Sequence, residues 1–459
     1  MKTKNILSPV AILFALAVSS QVVAGNVNSF FLGNDAAMTA GSITALVRDS
    51  ESIWYNPAGL GGNKLTRVNL SGNAFQLRLR TIDNGMVTTL PSGVNSQSLT
   101  GNEYLIVPTS LTFMTSITDR LSIGGGVYVP QYSSYTFNDN ISSVEQFTGI
   151  PELTDFVQGG DVDVLRTQYQ VGVSAGYEVK SNFRLGGGIF GLYDKLRYDS
   201  NLFEAIQSTD GSNNIDVFYE QNSRVFISSL GLRALLGMEY EFVPKWNLGL
   251  VVFSPTFQLC SWGEHSDTAG GSWPDASGTI VNNASRDAST FKSFDGKMIE
   301  PFHTQVALAY KQPDFWIGAT ADFFLPLRTP SLQISRKFMW NVSVGSKFRI
   351  TEKINGGAGL FTDNSPERTI DDFGDSQINF YGLSLGAEFN TPVPRTVGEN
   401  KTPIVFSTSL AFRYALGIGD VGGLTFDATT GQNISSAQVR RVGVTFNEIA
   451  LYIGTGLFF

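Results

Sequence analysis

The chain ends with the stretch YIGTGLFF, which runs from Tyr452 to Phe459 and finishes on an aromatic residue. Tyr452, Gly454, Leu457 and Phe459 have the spacing of an outer-membrane insertion signal. Because side chains alternate between two faces of a β-strand, Leu451–Phe459 presents one largely apolar face. We interpret it as the last strand of a membrane β-barrel. A soluble protein that ends on an edge strand would have the same pattern, so the rest of the chain decides.

The amino terminus has the features of an export signal. Two lysines near the start precede an apolar stretch at about 6–18, and small residues at 22–24 fit a cleavage site. The apolar stretch is short for a spanning helix, and no cysteine near Gly25 is available to accept a lipid. We therefore predict a signal peptide at 1–24 and a mature chain that begins at Gly25.

The composition favours many strands and excludes several classes of protein. The 459 residues include 48 Gly, 34 Phe and 15 Tyr, and only 16% are charged. No later run approaches the roughly 18 to 20 apolar residues of a membrane-spanning helix. The net charge of -8 argues against nucleic acid as a partner. Cys260 is the only cysteine, so an internal disulfide and a thiolate metal cluster are both excluded.

Short turns and long polar stretches alternate along the chain, apart from a short loop near Pro330 and a longer turn at 391–394. The tight turns are predicted at 118–120, 180–182, 243–245, 312–314 and 351–353. The long polar stretches lie near 81–102, 138–161, 201–222, 260–290, 364–376 and 417–438. Outer-membrane barrels have short periplasmic turns and longer external loops. The alternation predicts about 14 antiparallel strands, with both termini on the periplasmic side.

Individual strands show the pattern of a wall between two solvents. Residues from Tyr169 to Val179 alternate between apolar and small or polar side chains, as do residues from Tyr381 to Phe389. We expect the apolar face to meet lipid and the polar face to line the interior. Aromatic residues beside the short turns would form a periplasmic girdle: Tyr177, Phe183, Tyr240, Phe242, Trp246, Tyr310, Phe315 and Trp316.

A segment of about 40 residues precedes the first strand, which we place at 66–80. It is rich in Gly and Ala and contains a weak helical stretch at 34–49. A barrel of about 14 strands leaves a lumen, so we expect 25–65 to lie inside it as a plug. The alternative is a disordered periplasmic tail.

The motif Asn56-Pro57-Ala58-Gly59, followed by Leu60, closely resembles the hatch signature of the FadL/TodX family of outer-membrane transporters for hydrophobic compounds. The resemblance extends to the glycine-rich stretch 121–130, which is similar to the family's third strand. The residues after it, Gln131 and Tyr132, depart from the family pattern, which leaves the course of this strand open.

The resemblance implies an all-β fold: a transmembrane antiparallel β-barrel of about 14 strands at 66–459, with an amino-terminal hatch at 25–65 inside the lumen. It also implies a kink in the third strand that opens a lateral passage to the membrane. Gly124, Gly125 and Gly126 relax the strand, and Pro130 cannot donate to the ladder. We expect Asn56 to support the plug rather than contact a ligand, because its side chain can bond neighbouring backbone.

The function implied by the resemblance is passive uptake of hydrophobic small molecules, such as long-chain fatty acids or aromatic hydrocarbons, across the outer membrane of a Gram-negative cell. Release would occur past the hatch or through the third-strand kink. Apolar residues in the predicted external loops are candidates for capture: Val144, Phe147, Ile150, Leu153, Phe156, Leu202, Phe203 and Ile206. The alternatives left open are an adhesin or structural outer-membrane protein, and a hydrophilic porin.

We do not expect an enzyme. His265 and His303 are the only histidines, and no nucleophile motif accompanies either. Their spacing to carboxylates is poor for a metal site, and we expect no cofactor. The expected partners are a hydrophobic ligand, outer-membrane lipid and lipopolysaccharide, and the barrel-assembly machinery. We expect a monomer.

Overall fold

A computed structural model describes residues 26, 30–147, 154–208, 215–274, 280–293, 297–329, 334–370, 373, 375–393, 404–429 and 438–459. The predicted signal peptide lies outside these residues. The helical elements are α1 (Asn34–Met38), α2 (Ser52–Tyr55) and a 3-10 helix (Pro57–Leu60). No helix in the described part of the chain is long and apolar enough to cross a membrane. The strands are β1 (Arg67–Leu90), β2 (Gly93–Ser116), β3 (Leu121–Glu145), β4 (Thr154–Lys180), β5 (Phe183–Ser208), β6 (Ile215–Val243), β7 (Trp246–Phe253), β8 (Thr256–Pro274), β9 (Ile280–Ser293), β10 (Met298–Glu300), β11 (His303–Lys311), β12 (Phe315–Phe324), β13 (Leu327–Thr329), β14 (Ile334–Arg336), β15 (Met339–Arg349), β16 (Ile354–Asp363), β17 (Ser376–Val393), β18 (Ile404–Asp427) and β19 (Gln438–Phe458).

The strands close into an antiparallel barrel. β1 pairs with β2 on one side and with β19 on the other, from Arg67 opposite Phe458 to Leu79 opposite Asn447. Interruptions such as Ser254–Pro255 divide some long strands into consecutive pieces: β7 with β8, β9 to β11, β12 with β13, and β14 with β15. Taken together, the described strands form the predicted barrel of 14 strands.

The outer face of the wall is apolar where the sequence predicts lipid contact. In β4, the outward-facing Val171 and Val173 are 58% and 65% exposed, whereas the inward-facing Ser174 is 4% exposed. Tyr169, Tyr193 and Trp262 stack along the outer boundary of this band, with centroids 6.4 Å apart for each neighbouring pair. An apolar band between aromatic rows is typical of a barrel in an outer membrane.

The expected periplasmic girdle is present with one correction. Phe183 packs against Tyr240, and Tyr310 packs between Trp246 and Phe315, with centroid distances of 6.0, 5.1 and 6.2 Å. Trp316 was expected in the same girdle, but it is half-buried and packs against the interior core. The reason is that successive side chains of a strand point to opposite faces, so Trp316 faces inward when Phe315 faces outward.

The predicted tight turns lie at one end of the barrel, which is also where β1 begins and β19 ends. There, Thr66 and Phe459 exchange two backbone hydrogen bonds of 3.0 and 3.1 Å. The opposite end differs from the prediction, because most of the long polar stretches are not loops. The residues near 81–102 continue β1 and β2 to a tight turn at 91–92, and β3 to β6, β8 and β9 extend similarly.

These extensions remain regular because their inward side chains are apolar at alternating positions. Met86, Phe147, Phe156 and Ile206 form a buried cluster with Leu424 at the external end of the barrel. Several exposed positions in these extensions are polar, such as Asp83, Ser98 and Asp155, so the composition of the extensions is similar to that of loops. The interior therefore contains, from the external end, an apolar cap, a cavity and the amino-terminal segment.

Candidate transport pathway

The segment at 30–66 packs against the inner wall of the barrel. Its apolar residues Phe31, Met38, Ile53 and Leu60 are buried in one core with inward-facing wall residues such as Val251. The expected helix at 34–49 is shorter, because α1 ends at Met38 and turns follow. We call residues 30–66 the hatch segment.

Asn56 joins two parts of the hatch segment to the wall. Its side-chain Nδ2 donates to the carbonyl oxygens of Thr44, at 2.9 Å, and Met238 of β6, at 3.1 Å. Its Oδ1 accepts a hydrogen bond of 3.2 Å from the backbone N–H of Ala58. Pro57 begins the 3-10 helix, and a Cβ on Gly59 would lie 2.0 Å from the carbonyl oxygen of Val47. Each residue of the motif therefore has a packing or hydrogen-bonding role.

The motif Asn56-Pro57-Ala58-Gly59 packs against a row of three glycines in the wall. Gly176, Gly186 and Gly237 are register partners on β4, β5 and β6, and all three face inward. A Cβ on Gly186 would lie 2.3 Å from the carbonyl carbon of Pro57, and a Cβ on Gly237 would lie 2.2 Å from the side-chain oxygen of Asn56. Only a wall without side chains allows this approach.

The turn that follows α1 packs against a second row of glycines on another part of the wall. Gly318, Gly345 and Gly359 are register partners on β12, β15 and β16. A Cβ on Gly345 would lie 2.3 Å from the carbonyl oxygen of Thr39, and one on Gly318 would lie 2.6 Å from that of Ser42. Sequence reasoning missed both rows. The inward position of each glycine was readable from strand alternation, but their alignment depends on register between strands.

Buried charges also hold the hatch segment. The Glu51 carboxylate accepts backbone N–H bonds from Asn34, Asp35 and Ala36 at 2.5, 2.9 and 3.1 Å, which caps α1. Burial raises the pKa of Glu51 well above its usual value, and the negative charges of Asp49 and Asp35 raise it further.

Ion pairs connect the same segment to two strands of the wall. Lys347 of β15 lies 2.6 Å from the Asp35 carboxylate, and Arg48 lies 2.8 Å from the Glu239 carboxylate of β6. Burial raises the pKa of Asp35 to about 6, although Lys347 opposes that rise. The hatch segment is thus attached by charges as well as by shape.

The third strand is predicted to depart from regular pairing between Gly124 and Pro130, and the irregularity in the structure lies at the Pro130 end of that interval. Gly124, Gly125 and Gly126 pair regularly with both neighbouring strands. The register shifts between Tyr128 and Gln131, where β3 holds one more residue than β4 and includes Pro130. A Cβ on Gly124 would lie 2.6 Å from the Ile53 side chain, so this glycine makes room for the hatch segment.

The wall opens beyond that irregularity. Pairing between β2 and β3 stops at Ser110 opposite Tyr128, while each strand continues to pair with its other neighbour. We call this interval between β2 and β3 the slot. Leu105 and Val107 of β2 and Val129 of β3 form a buried apolar cluster with Phe30 of the hatch segment. Phe30 therefore covers the inner side of the slot.

The slot adjoins a cavity with about 1170 Å³ of empty space, part of it open to solvent. Pro130 and Gln131 line one end of the cavity, and Arg336 and Lys337 line the other. Aromatic residues form much of its wall: Phe30, Phe31, Trp54, Tyr55, Phe253, Phe324 and Phe361. Carboxamides form another part: Gln131, Gln168, Gln170, Gln305 and Asn341. The cavity therefore offers both apolar and hydrogen-bonding surfaces.

His303 lies in this cavity between two phenylalanines. Its ring stacks on Phe253 and Phe324, with centroid distances of 3.8 and 4.6 Å. Arg233 donates a 3.0 Å hydrogen bond to the ring. The partner in this contact is therefore an arginine and not the serine of a Ser-His pair. The other histidine, His265, lies on the external part of β8, 2.8 Å from Asp267.

The candidate capture residues do not form one surface. Phe147, Phe156 and Ile206 are buried in the apolar cap, and Leu202 packs against it. Phe203 packs over Gly159, Val144 is exposed, and Ile150 and Leu153 lie outside the described residues. In this structure the cap closes the external end, so the buried members of the set are not open to solvent.

The residues of the carboxyl-terminal motif divide between the two faces, as strand alternation requires. Leu457 and Phe459 are exposed on the outer face. Tyr452 is buried, and its hydroxyl accepts a 3.4 Å hydrogen bond from the backbone N–H of Phe31. Gly454 faces the side chain of Asn34. The inward pair therefore contacts the hatch segment, in addition to any role in insertion.

Two solved structures resemble the chain over nearly its whole length. A FadL homologue of Pseudomonas aeruginosa superposes with a TM-score of 0.60 at 11% identity, over 95% of this chain and 99% of that one. The toluene transporter TodX of Pseudomonas putida superposes with a TM-score of 0.54 at 10% identity, over 94% of this chain and 99% of that one. The sequence matches no family profile and no curated protein. These likenesses confirm the predicted fold.

Proposed function

We propose that the chain is an outer-membrane channel of the FadL/TodX type for passive uptake of hydrophobic small molecules, such as long-chain fatty acids or aromatic hydrocarbons. The observation that carries the proposal is the slot, which lies between an interior cavity and the lipid-facing surface and is covered on its inner side by Phe30. Unpaired backbone within a membrane wall is tolerable only where it lines a cavity or passage. The fold shared with a FadL homologue and a toluene transporter supports the same reading.

In this proposal the hatch segment is the plug, and the slot is the exit. A second space of about 480 Å³ lies under the hatch segment, and five charged residues line it together with four apolar ones: Asp35, Arg48, Asp49, Arg67 and Lys311, and Ile43, Leu46, Val47 and Trp316. An apolar cargo in that space would meet charged groups, whereas the slot is lined by Leu105, Val107 and Val129. The charge distribution favours lateral release over passage past the hatch.

Deletion of Pro130 tests the exit. The deletion removes the one extra residue of β3 and restores regular register with β4, because Tyr128 and Gln131 would then match Gln170 and Gln168 without a shift. We expect uptake of a radiolabelled fatty acid or aromatic hydrocarbon to fall at least tenfold, towards the level of cells without the channel. The replacement Pro130→Ala keeps the extra residue and should retain uptake.

Folding is checked by heat-dependent migration of the barrel on a gel. If the Pro130 deletion inserts normally and transports at the parental rate, lateral release through the slot is wrong. A route past the hatch would then be the better explanation. If the parent protein takes up none of these compounds and no uncharged amphiphile of similar size, the proposed function itself is wrong.

A further inference from the structure

A chain of hydrogen-bonded side chains crosses the cavity from the third-strand irregularity. Gln170 donates to Gln168 at 3.0 Å, and Gln168 donates to Glu300 at 3.0 Å. Glu300 lies 3.6 Å from Arg233, which donates to His303 at 3.0 Å. We call these five residues the polar track. It begins beside the slot, because Gln170 and Gln168 are the register partners on either side of the extra residue in β3.

The charges along the polar track are already neutralised by neighbours. Arg233 is paired with Glu300, which also accepts a 2.9 Å hydrogen bond from Thr256. The nearby Arg166 lies 2.7 Å from the Asp194 carboxylate. A carboxylate cargo would have to compete with a buried ion pair at Arg233 or Arg166. At Arg336, which also lines the cavity, it would compete with the nearby carboxylates of Glu300 and Glu367. An uncharged cargo has no such competition.

The end of the track beside the slot has hydrogen-bonding groups without partners. The side-chain oxygens of Gln131 and Gln170 have no hydrogen-bond partner in the described part of the chain, and neither does the Tyr128 hydroxyl. Gln170 and Tyr128 are each 1% exposed. A buried acceptor without a partner is unfavourable, so a ligand that supplies a donor there gains more than an ordinary hydrogen bond in water. A hydrocarbon supplies none.

The opposite side of the same space is apolar. Trp54 lines the cavity and packs against Tyr128 at a centroid distance of 4.9 Å, with the two rings tilted by 38°, and Phe30 covers the slot beside it. A ligand at this point therefore meets aromatic rings along its body and amide oxygens at one end.

We propose that the cargo is a neutral amphiphile, with an apolar body and a hydroxyl or similar uncharged donor that binds Gln131 and Gln170 beside the slot. The inference rests on the proposed function and names the class of its substrate. The polar track then guides the uncharged group, while the aromatic residues hold the body of the molecule.

Quenching of Trp54 fluorescence tests this inference on the full-length mature protein. The probes are three ten-carbon chains with a terminal bromine: bromodecane, bromodecanol and bromodecanoate. Bromine quenches tryptophan at short range, and Trp54→Phe identifies the signal from the cavity. We expect bromodecanol to reach half-quenching at a concentration about tenfold below the other two, the effect of one added buried hydrogen bond.

The variant pair Gln131→Met and Gln170→Met removes the two oxygens with little change in volume. We expect the advantage of bromodecanol to fall to within about twofold, because the hydrogen bond is lost while apolar contact remains. The control is Gln221→Met on the external part of β6, which is also a buried glutamine but lies outside the cavity. Partition of each probe into detergent is the same for all variants, so changes in the ratio report the site.

Three outcomes would contradict the inference. Equal quenching by bromodecane and bromodecanol, tightest binding of bromodecanoate, or an unchanged bromodecanol advantage in the double variant would each overturn it. In these cases the cavity still binds apolar molecules, so the proposed function survives. If no probe quenches Trp54 in the parent, both the inference and the proposed function are wrong.

Discussion

The substitution Gly186→Ala should loosen the plug without disturbing the barrel. An alanine Cβ at this position would lie 2.3 Å from the carbonyl carbon of Pro57 and 2.4 Å from the backbone nitrogen of Ala58. Both contacts are with backbone, so no side-chain rotation relieves them. The motif turn has to move away from β5 by about 1 Å to reach ordinary contact distance.

The size of the effect follows from what that movement disturbs. Overpacking of a close contact costs about 1–3 kcal/mol. The movement also strains the 3.1 Å hydrogen bond from Asn56 to the Met238 carbonyl, and loss of such a bond costs about 1 kcal/mol. A weakening of roughly 2–4 kcal/mol raises the equilibrium constant for plug displacement by a factor of roughly 30 to 1000.

Single-channel recording in planar lipid bilayers measures that change. We expect Gly186→Ala to show frequent large conductance steps, whereas the parent protein stays near its closed level. The matched control is Gly191→Ala in the same strand, where the nearest atom to an added Cβ, other than its chain neighbours, is the Val171 carbonyl oxygen at 3.8 Å. Heat-dependent migration on a gel should show that both variants form the barrel.

A quiet Gly186→Ala channel would refute the reasoning. It would mean that Pro57 does not rest on β5, or that the hatch segment does not limit the current. Deletion of 25–64 separates these explanations, since a true plug gives large open currents when it is removed.

Two further predictions concern charge and orientation. The pKa of Asp35 is raised from 3.8 to about 6 when the hatch segment is packed against the wall. Between these two pH values Asp35 holds a proton in the packed state and loses it when the segment is displaced, so packing of the segment weakens as the pH rises through this window. Channel openings should become more frequent from pH 4 to 7, and Asp35→Asn should reduce that dependence. Glu51, whose pKa is also raised, still titrates in the variant, and Lys347 keeps its 2.9 Å contact with Glu388. In a background without the native cysteine, a cysteine at Val94 should react with an impermeant label on intact cells, and one at Lys180 should not; the reverse pattern would contradict the orientation.

Local sequence patterns predicted the wall well. The turn at 180–182, the outward valines of β4 and the inward Tyr452 all follow from a period of two and from turn chemistry. The lengths of the external strands did not follow, because β1 and β2 beyond 81 have polar outward residues and widely spaced inward residues such as Met86 and Leu99. A loop and such a strand have nearly the same composition.

The interior was harder to predict, since it depends on residues that are distant in the sequence. Gly186 meets Gly176 and Gly237 only through the register of three strands. The polar track likewise joins Gln170 to Arg233 across the lumen. In the third strand, Gly124–Gly126 and Pro130 predict a departure from regular pairing within that interval, and the register with β4 places the irregularity at its Pro130 end.

The slot is closed at both ends, which determines what its opening requires. Below it, β2 and β3 pair from Ser110 onwards, and near the external tips Gln97 donates to Asp139 at 2.7 Å, which joins the same two strands by side chains. The wall therefore need not separate for a molecule to leave.

Movement of Phe30 is sufficient to uncover the slot. The adjoining backbone is held by two hydrogen bonds to tyrosine hydroxyls, from Phe31 N to Tyr452 at 3.4 Å and from Leu32 N to Tyr55 at 3.2 Å. The first of these contacts is longer than any hydrogen bond of Asn56, and the second equals the longest of them. Breaking both leaves the two glycine rows and the Glu51 cap intact. In the proposed route, lateral release therefore requires no displacement of the rest of the hatch segment. We expect an uncovered slot and a large ionic conductance to be separate events, which the Pro130 and Gly186 variants affect independently.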